Sequence, residues 1–200
     1  MHNAHPHLPS VLKAAASRLS SSLARFEAWH KDEGITERNL SFYTASAFLA
    51  DEPDAAVVLE VPFSAGDSDR ADNHLDAYLF SPRIGYMVEC KQLYGREKLT
   101  SLVQDARRLD QRLLSSLLAR HKGHVPAHVH PVVLADAWRR HIERWWVTGS
   151  DPACRWPRQE LPADWSYGSL RVRELNPGPL GTLFWLYAVG PALSVSSGSA

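Results

Sequence analysis

Two apolar runs separated by only three residues constrain this chain more than any other feature. "HLDAYLF", His74 to Phe80, and "IGYMVECKQLY", Ile84 to Tyr94, flank Ser81-Pro82-Arg83. Short runs rich in aromatic and aliphatic residues read as strands, and so brief a Ser-Pro connection fits antiparallel neighbours. Each run also carries charge where a buried strand has none: Asp76 in the first, Glu89 and Lys91 in the second. Burying a charge is costly unless it is paired or bound to a metal, so these positions need a partner. Side chains alternate along a strand, which puts Glu89 and Lys91 on one face and Cys90 on the other. Antiparallel pairing can add Asp76 to the same patch.

The surrounding pattern supplies the layers. From Ser10 to near Gly34, Leu12, Ala15, Ala16, Leu19, Leu23 and Phe26 recur at helical steps. Thr36 caps a second helix, "ERNLSFYTASAFLA", with Leu40, Tyr43, Ala47 and Phe48 as its apolar stripe. Ala55 to Phe63 reads as a strand preceding the hairpin, and the polar stretch Ser64 to Asn73 as a loop. One long helix is expected from Arg96 to His121, followed by a strand from His128 to Trp138. Arg139 to Val147 reads equally as helix or strand, Ser150 to Trp165 as a Pro-rich loop, and Ser169 to Leu175 and Thr182 to Gly190 as late strands. The expected class is mixed α/β, an α+β arrangement on a mixed sheet. At 200 residues one domain accommodates it, with a core over 36–138, a C-terminal extension over 139–193 and a flexible tail over 194–200.

Two adjacent carboxylates repel, raise each other's pKa and coexist best around a divalent cation. Oxygen ligands favour Mg²⁺ or Mn²⁺ over zinc. Such a cation beside a lysine suits phosphodiester hydrolysis. Asp76 followed thirteen residues later by Glu89-Cys90-Lys91 resembles the signature of the PD-(D/E)xK, or restriction-endonuclease-like, nucleases. Leu75 stands where that signature has proline. The resemblance implies a core of helix, three-strand meander, helix and further strand. It further implies that Asp76 and Glu89 hold metal, that the Cys90 carbonyl is an additional ligand, and that Lys91 is the catalytic lysine. It points to Glu37 as an assisting acid on the helix before the first strand, with Glu27 and Glu33 as lesser candidates. Gln104 occupies the place of a polar residue that such nucleases carry on the helix after the lysine strand, and Glu60 that of an acid at the end of the first strand.

The substrate implied is nucleic acid, chiefly DNA, and small relatives commonly act as homodimers. Net charge is zero, so any polyanion must meet a local patch. Arg107, Arg108 and Arg112, then Arg120 and Lys122, then Arg139, Arg140 and Arg144 form the candidate clusters; Trp145 and Trp146 are candidates for stacking on unpaired bases, with core or dimer packing the expectation for at least one of them. The competing readings are a non-catalytic nucleic-acid-binding module and a protein-interaction component of an accessory or immunity type. Two cysteines without metal-ligand spacing suit a reducing compartment, and a cytoplasmic location is expected. The histidine-rich stretches "HNAHPH", "RHKGH" and "HVH" lack HExxH or CxxC spacing, and no apolar run reaches membrane-spanning length.

Overall fold

The computed structural model describes residues 7–25, 37–63, 74–157, 162–174 and 181–195. Helix α1 (His7–Leu23) buries Leu8, Val11, Leu12, Ala15, Ala16 and Leu19, the stripe its periodicity predicts. It starts before Ser10 and gives way to a turn at Ala24 and Arg25, while residues 26–36, with Glu27, Glu33 and the Thr36 cap, lie outside the described residues. Helix α2 (Glu37–Asp51) packs beside it through Leu40, Ala47 and Phe48. Its buried side also carries Ser41 and Thr44.

Strands β1 (Ala56–Pro62), β2 (His74–Phe80) and β3 (Ile84–Gln92) form an antiparallel meander. Strand β4 (His128–Ala137) then pairs parallel to β3. A further hairpin, β5 (Ser166–Glu174) and β6 (Thr182–Val189), joins through β6 on the far side of β4. The six strands follow the order β1-β2-β3-β4-β6-β5, so the C-terminal strands extend the same sheet. A Cβ at Gly168 of β5 would lie 2.2 Å from the Tyr187 ring of β6, so any larger residue there requires that ring to move.

The expected single helix from Arg96 to His121 is two helices, α3 (Arg96–Arg108) and α4 (Gln111–Leu118). Asp110 makes the break, its carboxylate accepting the backbone N–H groups of Arg112 and Leu113 at 2.9 Å each. A side chain that caps a new helix competes with continuing the old one, while the apolar spacing survives the interruption. The ambiguous segment after Arg139 is helix α5 (Arg140–Thr148), ended by Gly149 at φ 85°.

These helices sort onto two faces. Helices α1 and α2 pack on Ala77, Leu79, Val88, Cys90 and Leu134. The other three pack on the opposite face against Met87, Val133 and Ala135. Alternation along β3 therefore turns Cys90 toward the α1–α2 layer and Glu89 and Lys91 toward α3. Among the described residues no helix is long and apolar enough to cross a membrane.

Candidate active site

Asp76 lies where the sheet loses regularity. Pairing between β2 and β3 runs from Phe80↔Gly85 to Ala77↔Val88 and stops one step before Asp76 would meet Glu89. In place of a ladder bond, the Asp76 carboxylate accepts the Cys90 N–H at 2.6 Å. On the other side, the β1–β2 register passes from Leu59↔Ala77 to Val61↔Leu75 and omits Glu60 opposite Asp76. Glu60 sits at φ 51°, in the left-handed region, which costs an L residue roughly 1–2 kcal/mol. Because an extended residue directs its N–H and C=O to the same side, the Cys90 carbonyl also faces the gap opened at Asp76.

Four carboxylates and two cations converge here. Lys91 Nζ lies 3.0 Å from Asp105 Oδ2 on α3 and 4.0 Å from Glu37 Oε2 on α2. Glu37 also accepts the Gln92 N–H at 3.1 Å, which fixes the first turn of α2 over the end of β3. Arg108 pairs with Asp105 and stands 3.7 Å from Glu89 Oε1. Glu89 is only 2% exposed, and its Oε1 has no hydrogen-bond partner among the described residues. The exit of the parallel β3–β4 pair, where Gln92 faces Asp136, is the end of an open sheet at which ligands characteristically bind.

Burial dominates the electrostatics. Desolvation first, then the Asp76 and Asp105 charges, push Glu89 up to about 9, against the smaller pull of Arg108 and Lys91. Asp76 is also raised by desolvation, although the Cys90 N–H and Lys91 oppose the shift. For Lys91, desolvation favours the neutral amine, but Asp105 and Glu37 together outweigh it and raise the pKa, so the side chain stays cationic. Asp136, on the α1–α2 side of the same strand ends, is pushed up to about 7 by desolvation, with Glu37 adding to the rise.

Asp76, Glu89, Lys91 and Glu37 thus share one locality. Gln104 is exposed, and its neighbour Asp105 takes the place against Lys91. Glu60 is half exposed and 3.8 Å from Arg38. Arg107 is exposed, whereas Arg108, expected to meet nucleic acid, is engaged with Glu89 and Asp105. Arg139 and Arg140 are exposed where β4 leads into α5. Of the two roles open to Trp145 and Trp146, core packing holds for both and base stacking for neither: they are 1% and 0% exposed. Their indole N–H groups donate to the Trp156 and Tyr187 carbonyls, so the α5 stripe is core.

Sequence reasoning missed Asp105 and Asp136. The usable signal for Asp136 was the one that exposed Glu89, an acid interrupting an apolar strand. For Asp105 it was an acid between the buried Val103 and Ala106. The trio of side-chain ligand atoms all within 4.8 Å of one another among the described residues is a different one, His7, Asp51 and Glu52. No family model, no curated protein and no solved structure matches this chain.

Proposed function

We propose that this protein is a divalent-cation-dependent nuclease with a restriction-endonuclease-like core, hydrolysing phosphodiester bonds, chiefly in DNA. The observation that carries the reading is the buried Glu89 carboxylate, whose Oε1 accepts no hydrogen bond and faces only Arg108 at 3.7 Å, beside Asp76 in a cluster where acids outnumber cations. Removing two carboxylates from water without compensation is unfavourable, and a divalent cation is the ligand that reverses the sign of that cost. Asp76, Glu89 and the Cys90 carbonyl would hold Mg²⁺ or Mn²⁺. Such an ion, when bound, polarises a phosphoryl oxygen and lowers the pKa of water.

The chain's own residues supply the rest. Asp105 and Glu37 hold the Lys91 ammonium at the mouth of the β2–β3 gap, where a fixed positive charge orients a water and stabilises charge developing on the phosphate. The Cys90 N–H fixes the Asp76 carboxylate by a bond that costs no rearrangement when substrate arrives. Arg108 lies against Glu89 and must swing away or share the acid when a cation is held.

Arg108 also gives a second reading its footing. With the guanidinium already against Glu89 and Asp105, the cluster partly neutralises itself, as in a module of the same fold that binds nucleic acid without cutting it. Cleavage assays separate the two. Supercoiled plasmid, linear duplex, single-stranded DNA and RNA are incubated with Mg²⁺ or Mn²⁺ and wild type, Asp76→Ala or Lys91→Ala. Cutting that both substitutions abolish supports the nuclease, and no cutting of any substrate, or equal cutting by the variants, sinks it.

A further inference from the structure

A groove of about 390 Å³ opens between the β1–β2 edge of the sheet and the C-terminal end of α4. That volume lies within the range of small-ligand sites. Its floor is Tyr78 and Phe80, stacked with ring centroids 4.9 Å apart, and Leu117 forms part of the wall. His121 covers the Phe80 ring at 4.6 Å between centroids and reaches the Tyr78 hydroxyl at 3.1 Å. Arg120 and Lys122 stand at its rim, and among the described residues no carboxylate lines it. The Arg120 guanidinium is held in place by donating to the Pro62 carbonyl at 2.7 Å.

An aromatic floor beneath a cationic rim matches a flat ring that carries an anion. A base in contact with an aromatic side chain gains about 1–3 kcal/mol, which an aliphatic anion would not draw from the half-buried Phe80 ring. The groove also has a definite relation to the candidate catalytic acid. Tyr78 is two residues from Asp76 on the same strand, roughly 7 Å at the usual strand rise. Val61 and Pro62, which also line the groove, pair with Leu75 and His74 beside Asp76.

We infer that this groove holds one unpaired nucleotide of the substrate strand next to the scissile phosphate. The base lies against the half-buried Phe80 ring beside the exposed Val58, and the phosphate is held by Arg120 and Lys122. This rests on the nucleic-acid reading of the Asp76 site, and it makes the preferred substrate a strand with an unpaired nucleotide at that position. The aromatic and basic residues of "RHKGH" thereby gain a role that their histidine spacing could not give them.

The test is binding of 2′-deoxyadenosine 5′-monophosphate to the full chain in EDTA, followed by calorimetry and by NMR, with 2′-deoxyadenosine and inorganic phosphate titrated separately. Saturable nucleotide binding is expected, about tenfold weaker for either part alone and about tenfold weaker in Lys122→Glu and in Val58→Trp. Both altered side chains are exposed, so these variants keep the core intact. Absence of binding, equal binding in both variants, or phosphate binding as tightly as the nucleotide overturns the inference. Asp76→Asn should bind the nucleotide like wild type, which separates the two proposals. A bound nucleotide without cleavage of any substrate keeps the groove and fails the nuclease. Cleavage indifferent to unpaired nucleotides, with no nucleotide bound, fails the groove alone.

Discussion

Two charged clusters in this protein look alike in composition and differ in what they need. At the start of α1, His7 Nε2 lies 2.8 Å from Asp51 and 3.1 Å from Glu52, and its other ring nitrogen is 3.0 Å from the Tyr86 hydroxyl. Arg83 pairs with the same Glu52, and Asp51 is half exposed. Two acids there face an arginine and a histidine, with water available to the rest. At the β3–β4 ends, four acids face two cations, and Glu89 is buried with an oxygen left over. Compactness of the ligand atoms favours the first cluster as a metal site, whereas charge balance and burial favour the second. A network whose acids already have cationic or ring-nitrogen partners gains little from a further cation.

The sharpest way to break that contrast is catalytic. Asp76→Ala and Lys91→Ala are each expected to lower phosphodiester cleavage by about 10²–10³-fold or more, the usual effect of removing a preorganised charge at a reacting centre. His7→Ala and Glu52→Ala should leave the rate within about twofold of wild type, because their cluster lies outside the proposed site. Initial rates on one plasmid substrate check both halves, and a large loss in His7→Ala would move the metal site to α1.

Next in size is the pH dependence of stability. A carboxyl whose pKa is raised in the fold binds more protons folded than unfolded between its ordinary value near 4.5 and about 9, so its contribution to stability is lost as pH rises through that interval. Glu89→Gln removes the titration while keeping the shape. In metal-free protein it should match wild type near pH 5 and exceed it near pH 9 by about 1–3 kcal/mol, the cost of an unsatisfied buried group. Urea midpoints at the two pH values measure this, and a difference independent of pH would show that Glu89 is paired after all.

Cation binding should follow the same proton. On the proposed reading Mg²⁺ or Mn²⁺ displaces it from Glu89, so apparent affinity by calorimetry should rise from pH 6 to pH 9 in wild type and stay flat in Glu89→Gln. The predicted gain is up to tenfold per pH unit for one released proton, and no gain would place the ion elsewhere. The smallest expected effect concerns the scaffold. Asp110→Ala should cost about 0.5–2 kcal/mol by removing the cap of α4, with little change in cleavage. Thermal denaturation checks the first part, and a collapse of activity at unchanged stability would tie α4 to the site more closely than its position suggests.

Much of the site was legible because strand alternation is local. Glu89 and Lys91 share a face for the same reason that any residues two apart do, and three intervening residues left few choices for pairing β2 with β3. Elsewhere the apolar period told too little. It ran unbroken through Leu109 and Leu113, both buried, although a capping aspartate divides the helix between them. It also left the segment around Trp145 open between helix and strand, and the tryptophans open between core and surface.

The sequence by itself determined the strand pair, the face on which Glu89 and Lys91 stand, and the amphipathic helices that cover the sheet. These follow from residue spacing over a few positions, where backbone geometry leaves little freedom. Only the tertiary structure decided that Asp105 and Arg108 close over that face, and that Glu37 reaches the Gln92 N–H across 55 positions of chain. It also decided that β2 and β3 part at Asp76. Which acids end up without a partner depends on contacts between elements distant in sequence. Electrostatic energy is a property of the assembled, water-excluding site and of no single segment.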